Sequence, residues 1–224
     1  MIKPNLIIFD CDGTLVDSET LNNQATLDVL ASLGVEGYTL EHAFNEWMGT
    51  TYTSIGLRVQ MERNVELPKD FTMRCVARVA ELQETQLRPV VGAADYVGAV
   101  QRSGIASCVA SNGERTNVIN SIRLSGLDVY FPEEKIFTKI QVERPKPAPD
   151  LFLFAASNMN VDPAVTTVIE DSEAGVSAGV AAGMNVIGFI GTAHDRVKQA
   201  ERLKNAGASR IIEDFIHIHD LLER

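Results

Sequence analysis

Leu6-Ile7-Ile8-Phe9-Asp10-Cys11-Asp12-Gly13-Thr14 holds the transition on which the reading of this chain turns. A short run of large apolar residues with no polar alternation reads as a strand buried on both faces, the habit of parallel sheets. The run stops in two aspartates around a cysteine and then in Gly13-Thr14, residues that favour turns. A strand ending in carboxylates puts charge at its carboxyl end, which in an open α/β sheet is the edge where ligands bind.

The pattern recurs downstream. Residues 106–110, 166–169, 186–190 and 210–212 read as further strands, with helical patterns at 94–103, 114–125, 147–159, 172–182 and 195–205. Gly104, Gly126 and Gly183 close three of these helices. Strand, helix and strand with glycine stops indicate a doubly wound α/β sheet. Between Asp17 and Arg88 the strand runs vanish and amphipathic segments at 19–33, 40–48, 54–64 and 70–87 replace them. The expected organisation is therefore a sheet core from residues 1–17 and 88–224, interrupted by a helical insert at 18–87.

A chain of 224 residues suits one large domain or a core with an insert. Lys+Arg of 20 against Asp+Glu of 30 leaves a formal charge of −10, which argues against nucleic acid and anionic membrane as partners. Hydrophobic residues at 45% and charged residues at 22% are ordinary globular values, so neither disorder nor a fibrous repeat fits. Cys11, Cys75 and Cys108 are odd in number and lack C-x-x-C spacing, so neither a disulfide framework nor a zinc site is expected and the reducing cytoplasm is the natural home. The first apolar run is too short for a secretory segment. Residues 174–193 carry no charge, but five glycines with Ser177 and Asn185 break them into a helix, a turn and a strand, not a membrane span. The composition is compatible with a monomer.

Polar residues follow the apolar runs in order: Asp10 and Asp12 after the first, Ser111-Asn112-Gly113 after the second, and Glu170-Asp171-Ser172 after the third. Lys146 adds a cation from the loop before a helix. On an extended backbone Asp10 and Asp12 share one side while Cys11 faces the core. Carboxylates so close to Glu170 and Asp171 repel, and a divalent cation relieves them; oxygen ligands without nearby His or Cys favour Mg²⁺. The expected metal set is Asp10, Asp12, Glu170 and Asp171. Ser111, the N–H groups of Asn112 and Gly113, and Lys146 are the expected phosphate contacts. Such a site suits phosphoryl transfer on a small phosphorylated metabolite, with Asp10 as nucleophile and Asp12 as general acid and then base.

Residues 9–18, Ser111-Asn112-Gly113, Lys146-Pro147 and Glu170-Asp171-Ser172 resemble the four ordered motifs of the haloacid dehalogenase-like hydrolase superfamily. The resemblance spans the chain and implies a Rossmann-like core with a mobile cap at 18–87; the two short connectors that flank this insert put the expected hinges near Asp17-Ser18 and Arg88-Pro89. It implies Asp10 as nucleophile and metal ligand, Asp12 as acid/base binding metal through its carbonyl, Asp171 as ligand, and Glu170 as ligand directly or through water. Ser111 and Lys146 are implied to hold the transferring phosphoryl group. The dehalogenases lack the second aspartate, present here as Asp12, so the resemblance implies phosphatase chemistry. The motif layout is also similar to the β-phosphoglucomutase branch, but Asn22 stands where that branch has a cap histidine. Residues 144–150 and 171–176 look most like bacterial sugar-phosphate phosphatases, 6-phosphogluconate phosphatases among them.

A phosphomutase is the alternative, and a phospho-aspartate signalling receiver is the rival from another class. Against the receiver stand the chain's length, the helical insert and the arrangement, since a receiver has its phosphorylated aspartate on a middle strand, separate from an acidic pair on the first. His42, His194, His217 and His219 lack metal-ligand spacing and read as surface or packing residues. Around Gly49, Trp47, Met48 and Tyr52 are first guesses for side chains that read a leaving group, although packing is the commoner role for such aromatics.

Overall fold

The structure, a computed structural model, describes residues 3–47 and 50–221. The chain forms two compact units, Met1–Asp17 with Arg88–Arg224 and, separately, Ser18–Leu87. In chain order the elements are β1 (Leu6–Phe9), α1 (Glu19–Ser32), α2 (Leu40–Glu46), α3 (Tyr52–Arg63), α4 (Phe71–Gln86), α5 (Ala93–Arg102), β2 (Ala106–Ser111) and α6 (Arg115–Leu124). They continue with β3 (Ile136–Thr138), α7 (Asp150–Asn158), β4 (Thr166–Glu170), α8 (Glu173–Ala181), β5 (Asn185–Phe189), α9 (Arg196–Asn205) and β6 (Arg210–Ile212). All strand pairs are parallel, in the order β3-β2-β1-β4-β5-β6. This is the Rossmann-like α/β architecture, in which the chain builds outward from β1 on one side and then on the other.

Strand β3 is absent from the sequence reading. Ile136-Phe137-Thr138 is too short to register as an apolar run, and pairing with Val109, Ala110 and Ser111 at the sheet edge creates it. Helix α7 starts three residues later than expected. Pro147 and Pro149 disfavour helical backbone at Lys146 and Ala148, which instead lie in a turn closed by Ala148 N–H to Pro145 C=O at 3.0 Å. Helix α2 ends at Glu46; Met48 and Gly49, expected at its end, lie outside the described residues.

Both faces of the sheet are covered, which is why its strands are apolar throughout. On one face Leu6, Ile8, Cys108, Ala110 and Val168 pack with Phe152, Val176 and Ala178 of α7 and α8. On the other, the ring of Phe9 meets Tyr96 and Phe131 edge-on at 6.2 and 5.9 Å, and Phe189 stacks on Phe215 at 5.0 Å. Such aromatic pairs add about 0.5–1.5 kcal/mol each beyond area burial. The connectors leaving and re-entering this unit lie side by side, with Val16 bridged to Pro89 and Val90 N–H bonded to Leu15 C=O at 2.8 Å.

The unit Ser18–Leu87 has its own core, in which Val29 and Leu30 of α1, Ala43 of α2, Ile55 and Val59 of α3 and Phe71 and Cys75 of α4 surround Trp47. Trp47 is 1% exposed, with its ring near Tyr38 and His42, and it belongs to this core and not to a ligand surface. The Tyr52 hydroxyl donates to Asn22 Oδ1 at 3.2 Å. Among the described residues no helix is long and apolar enough to cross a membrane.

Candidate active site

Register brings the acidic residues together. Phe9 pairs with Ile169, and the ladder runs one bond further, Asp10 N–H to Ile169 C=O at 3.0 Å, so Asp10 stands level with Glu170 on the neighbouring strand. Both are buried, at 7% and 1% exposure. Two adjacent carboxylates inside a protein would be strongly unfavourable alone. Lys146, 6% exposed, lies between them: its Nζ donates to Asp10 Oδ1 at 2.6 Å, Glu170 Oε2 at 2.7 Å and the carbonyl of Ala110 at 2.8 Å. All three ammonium donors are used. The same Nζ sits 4.6 Å from the centre of the Phe152 ring.

The backbone of Lys146 is clamped by the side chain of Asn112. Asn112 Nδ2 donates to the Lys146 carbonyl at 2.9 Å, and Lys146 N–H donates back to Asn112 Oδ1 at 3.1 Å. The sequence reading gave Asn112 only a backbone role; the paired amide bonds join the loop after β2 to the loop carrying the lysine. Gly113 N–H donates to Ser111 Oγ at 3.0 Å, and a Cβ on Gly113 would come within 2.7 Å of Val118 Cγ2. The turn after β2 therefore keeps a bare backbone beside the buried serine.

Asp171 completes the cluster. One carboxylate oxygen from each of Asp10, Glu170 and Asp171 lies within 4.8 Å of the others. Thr14 Oγ1 donates to Asp171 Oδ1 at 3.1 Å, and Gly13, at φ +82°, passes so close that a Cβ there would sit 2.2 Å from Asp171 Oδ2. Glu170 is held from its far side, where both the N–H and the hydroxyl of Ser172 donate to Oε1, at 3.1 and 2.8 Å. Ser172 also caps α8, its Oγ accepting from Gly175 N–H at 3.0 Å. A Cβ on Gly175 would lie 2.0 Å from Oε2 of Glu170. From the sequence Thr14, Ser172 and Gly175 had been given no individual role at the site.

Asp12 does not join this cluster. The strand ends at Phe9 and the chain turns at Cys11, whose carbonyl accepts from Leu15 and Val16 N–H at 2.8 and 3.0 Å, so the expected alternation breaks down. Asp12 comes out exposed while Asp10 stays buried, and its carboxylate is outside the three-residue group. Its Oδ2 lies towards Gly113, 3.6 Å from where a Cβ there would be. Cys11 is fully buried, and burial followed by the nearby carboxylates pushes its thiol well up, away from reactivity. None of the four histidines joins the acidic group.

Two buried carboxylates and the half-buried Asp171 face one ammonium, so two negative charges are left over when all three are ionised. Burial first, and then repulsion from Glu170, pushes the Asp10 carboxyl up from 3.8 to about 8 despite the opposing pull of Lys146. Burial followed by Glu170 and Asp10 also lifts Asp171 well above the usual range. Lys146 loses some preference for its charge through burial, but Asp10 and Glu170 outweigh this and raise it. An all-oxygen donor set with two surplus negative charges fits a hard divalent cation.

These residues occupy the ends of β1, β2 and β4 in the order of four known motifs, and a family model described as haloacid dehalogenase-like hydrolase matches residues 7–189. The chain belongs to the haloacid dehalogenase-like hydrolase family. It is 33% identical over 199 residues to the 6-phosphogluconate phosphatase of Escherichia coli, covering 88% of this chain and 87% of that one. Hexitol phosphatase B of the same organism is 30% identical over 190 residues, covering 80% and 81%. A crystal structure of a family hydrolase from Deinococcus radiodurans, holding phosphate and sodium, superposes with a TM-score of 0.86 at 28% identity, over 99% of this chain and 96% of that one. The chain is thus an enzyme of this hydrolase family, with named phosphatases among its relatives.

Proposed function

We propose that this hydrolase cleaves a small phosphomonoester, a sugar or sugar-acid phosphate, through an aspartyl-phosphate on Asp10. The observation that carries the reading is the cluster of Asp10, Glu170 and Asp171 at the carboxyl ends of β1 and β4, with the Lys146 ammonium between the first two. Relatives named 6-phosphogluconate phosphatase and hexitol phosphatase B, and a neighbour solved with bound phosphate and sodium, support it.

In the first step a carboxylate oxygen of Asp10 forms a bond to phosphorus as the ester oxygen leaves, and Asp12 gives that oxygen its proton. Its exposed position suits exchange with a leaving group and with water, whereas Asp10 is shielded. In the second step Asp12 takes a proton from the attacking water, the new oxygen–phosphorus bond forms and Asp10 is released with inorganic phosphate. Lys146 aims Asp10 and opposes the rise of its carboxyl, and Ser111 with the N–H groups of Asn112 and Gly113 holds the transferring oxygens. Asp10, Asp171 and the carbonyl of Asp12 would hold Mg²⁺, which when bound neutralises charge on the phosphoryl oxygens. Both carboxylate oxygens of Glu170 are engaged, by Lys146 and by Ser172, so its contribution is to Lys146 and at most a water-mediated one to the ion. Selectivity for the leaving group we assign to the cap, Ser18–Leu87. The mutase alternative is disfavoured because Asn22, at the position of the mutase histidine, accepts from Tyr52 and has no titratable group to offer.

The test is phosphate release from a panel of sugar and sugar-acid phosphates with Mg²⁺ or with chelator. Wild-type protein should turn over at least one of them only with the ion, and Asp10→Asn should lose turnover. Asp12→Ala should accumulate an adduct of one phosphoryl group in intact-mass spectra. Wild-type turnover by Asp10→Asn would overturn the assignment.

A further inference from the structure

Two hydrogen bonds reach the acidic loops from outside the four motif segments. Thr192, just beyond β5, donates Oγ1 to the carbonyl of Gly13 at 2.6 Å, and Gln199 on α9 donates Nε2 to the carbonyl of Asp171 at 2.6 Å. We infer that Thr192 and Gln199 are positioning residues that hold the loops after β1 and β4 at the separation Mg²⁺ requires; this rests on the reading that Asp10 and Asp171 bind that ion.

The ladder between the two strands ends at Asp10 N–H to Ile169 C=O, and beyond it the loops must be fixed by other means. The side-chain bond from Thr14 to Asp171 joins them, and it occupies a carboxylate oxygen. Thr192 and Gln199 differ in kind. They are neutral donors directed at main-chain carbonyls, so they restrain the loops without using the lone pairs a cation needs. Mutual repulsion of the carboxylates pushes these loops apart, and Mg²⁺ tolerates little error because it demands near-octahedral geometry at about 2.0–2.1 Å. The fit is already tight, as the closeness of Gly13 to Asp171 shows. The turn bearing Thr192 is itself anchored: Arg196 Nη2 donates to the Gly191 carbonyl at 3.2 Å, and Asp195 caps α9 by accepting from Lys198 N–H at 3.0 Å.

The experiment is calorimetric titration of Mg²⁺ into the full chain, wild type against Thr192→Val, Gln199→Met and Thr192→Ser. Groups that orient metal ligands from behind typically contribute about 10- to 100-fold in metal affinity. Thr192→Val and Gln199→Met should each raise the Mg²⁺ Kd by about tenfold, while Thr192→Ser, which keeps the hydroxyl, should bind as wild type does. Both positions are partly exposed, and melting curves in chelator should stay near wild type. The two sites are separate, so if one variant does not fold the other decides the matter. Wild-type Kd in both Thr192→Val and Gln199→Met would overturn the inference, as would a serine variant as weak as the valine one. Absence of Mg²⁺ binding by the wild type would overturn the metal reading itself, and this inference with it.

Discussion

Gly175 shows how a residue without functional groups can govern a charged site. It lies in the first turn of α8, where alanine would ordinarily be preferred to glycine by about 1 kcal/mol. The missing Cβ leaves the space that the Glu170 carboxylate occupies, so Gly175→Ala must push that side chain off Lys146. The variant should melt below wild type, opposite in sign to helix propensity, and phosphatase activity should fall with it. Thermal melts decide this, and a higher melting temperature would mean Glu170 is free to move. Residues of this kind were not legible in the sequence. Asp10, Ser111, Glu170 and Asp171 announce themselves by following apolar runs. Thr14, Gly175, Thr192 and Gln199 owe their places at the site to distant or tightly packed neighbours; the Thr192 bond spans 179 residues, and no local pattern records it.

At the scale of elements, the register between β1 and β4 sets the electrostatics, because it places Asp10 beside Glu170 whatever the loops do. The consequence is a pH dependence with a definite sign. A carboxyl raised from 3.8 to about 8 in the fold keeps its proton there when the unfolded chain has lost it, so native protein binds more protons across that window. The stability this gives is present below the unfolded value and is lost as pH rises through the folded one. Melting temperature in chelator should therefore decline across that window, Asp10→Asn should flatten the decline, and excess Mg²⁺, which binds the ionised carboxylates, should oppose it. A wild-type curve in chelator that rises with pH would contradict the assignment. The strands that carry this chemistry are also the ones the sequence displays best. β1, β2, β4 and β5 are central and bury both faces, which demands continuous apolar runs. Edge strand β3 is buried as well, but Ile136-Phe137-Thr138 is too short to register as an apolar run, and it stayed hidden.

Over the whole molecule, the acidic cluster and the chain's single tryptophan lie in different units, which makes the two separately observable. Trp47 is buried in the helical core of Ser18–Leu87, while Asp10, Lys146, Glu170 and Asp171 all belong to the sheet unit. Each unit has its own apolar core, and two short connectors join them. Cooperativity need not extend across such a junction, so two unfolding steps are expected in denaturant. Tryptophan fluorescence should follow one step, and far-UV circular dichroism should show both. A ligand stabilises only what it binds, by about 2.7 kcal/mol at a hundredfold excess over Kd. Saturating Mg²⁺ should accordingly move the dichroism step that fluorescence does not see and leave the Trp47 transition in place. Coincident transitions that move together with the ion would instead mean that the helical unit and the sheet unit unfold as one cooperative body.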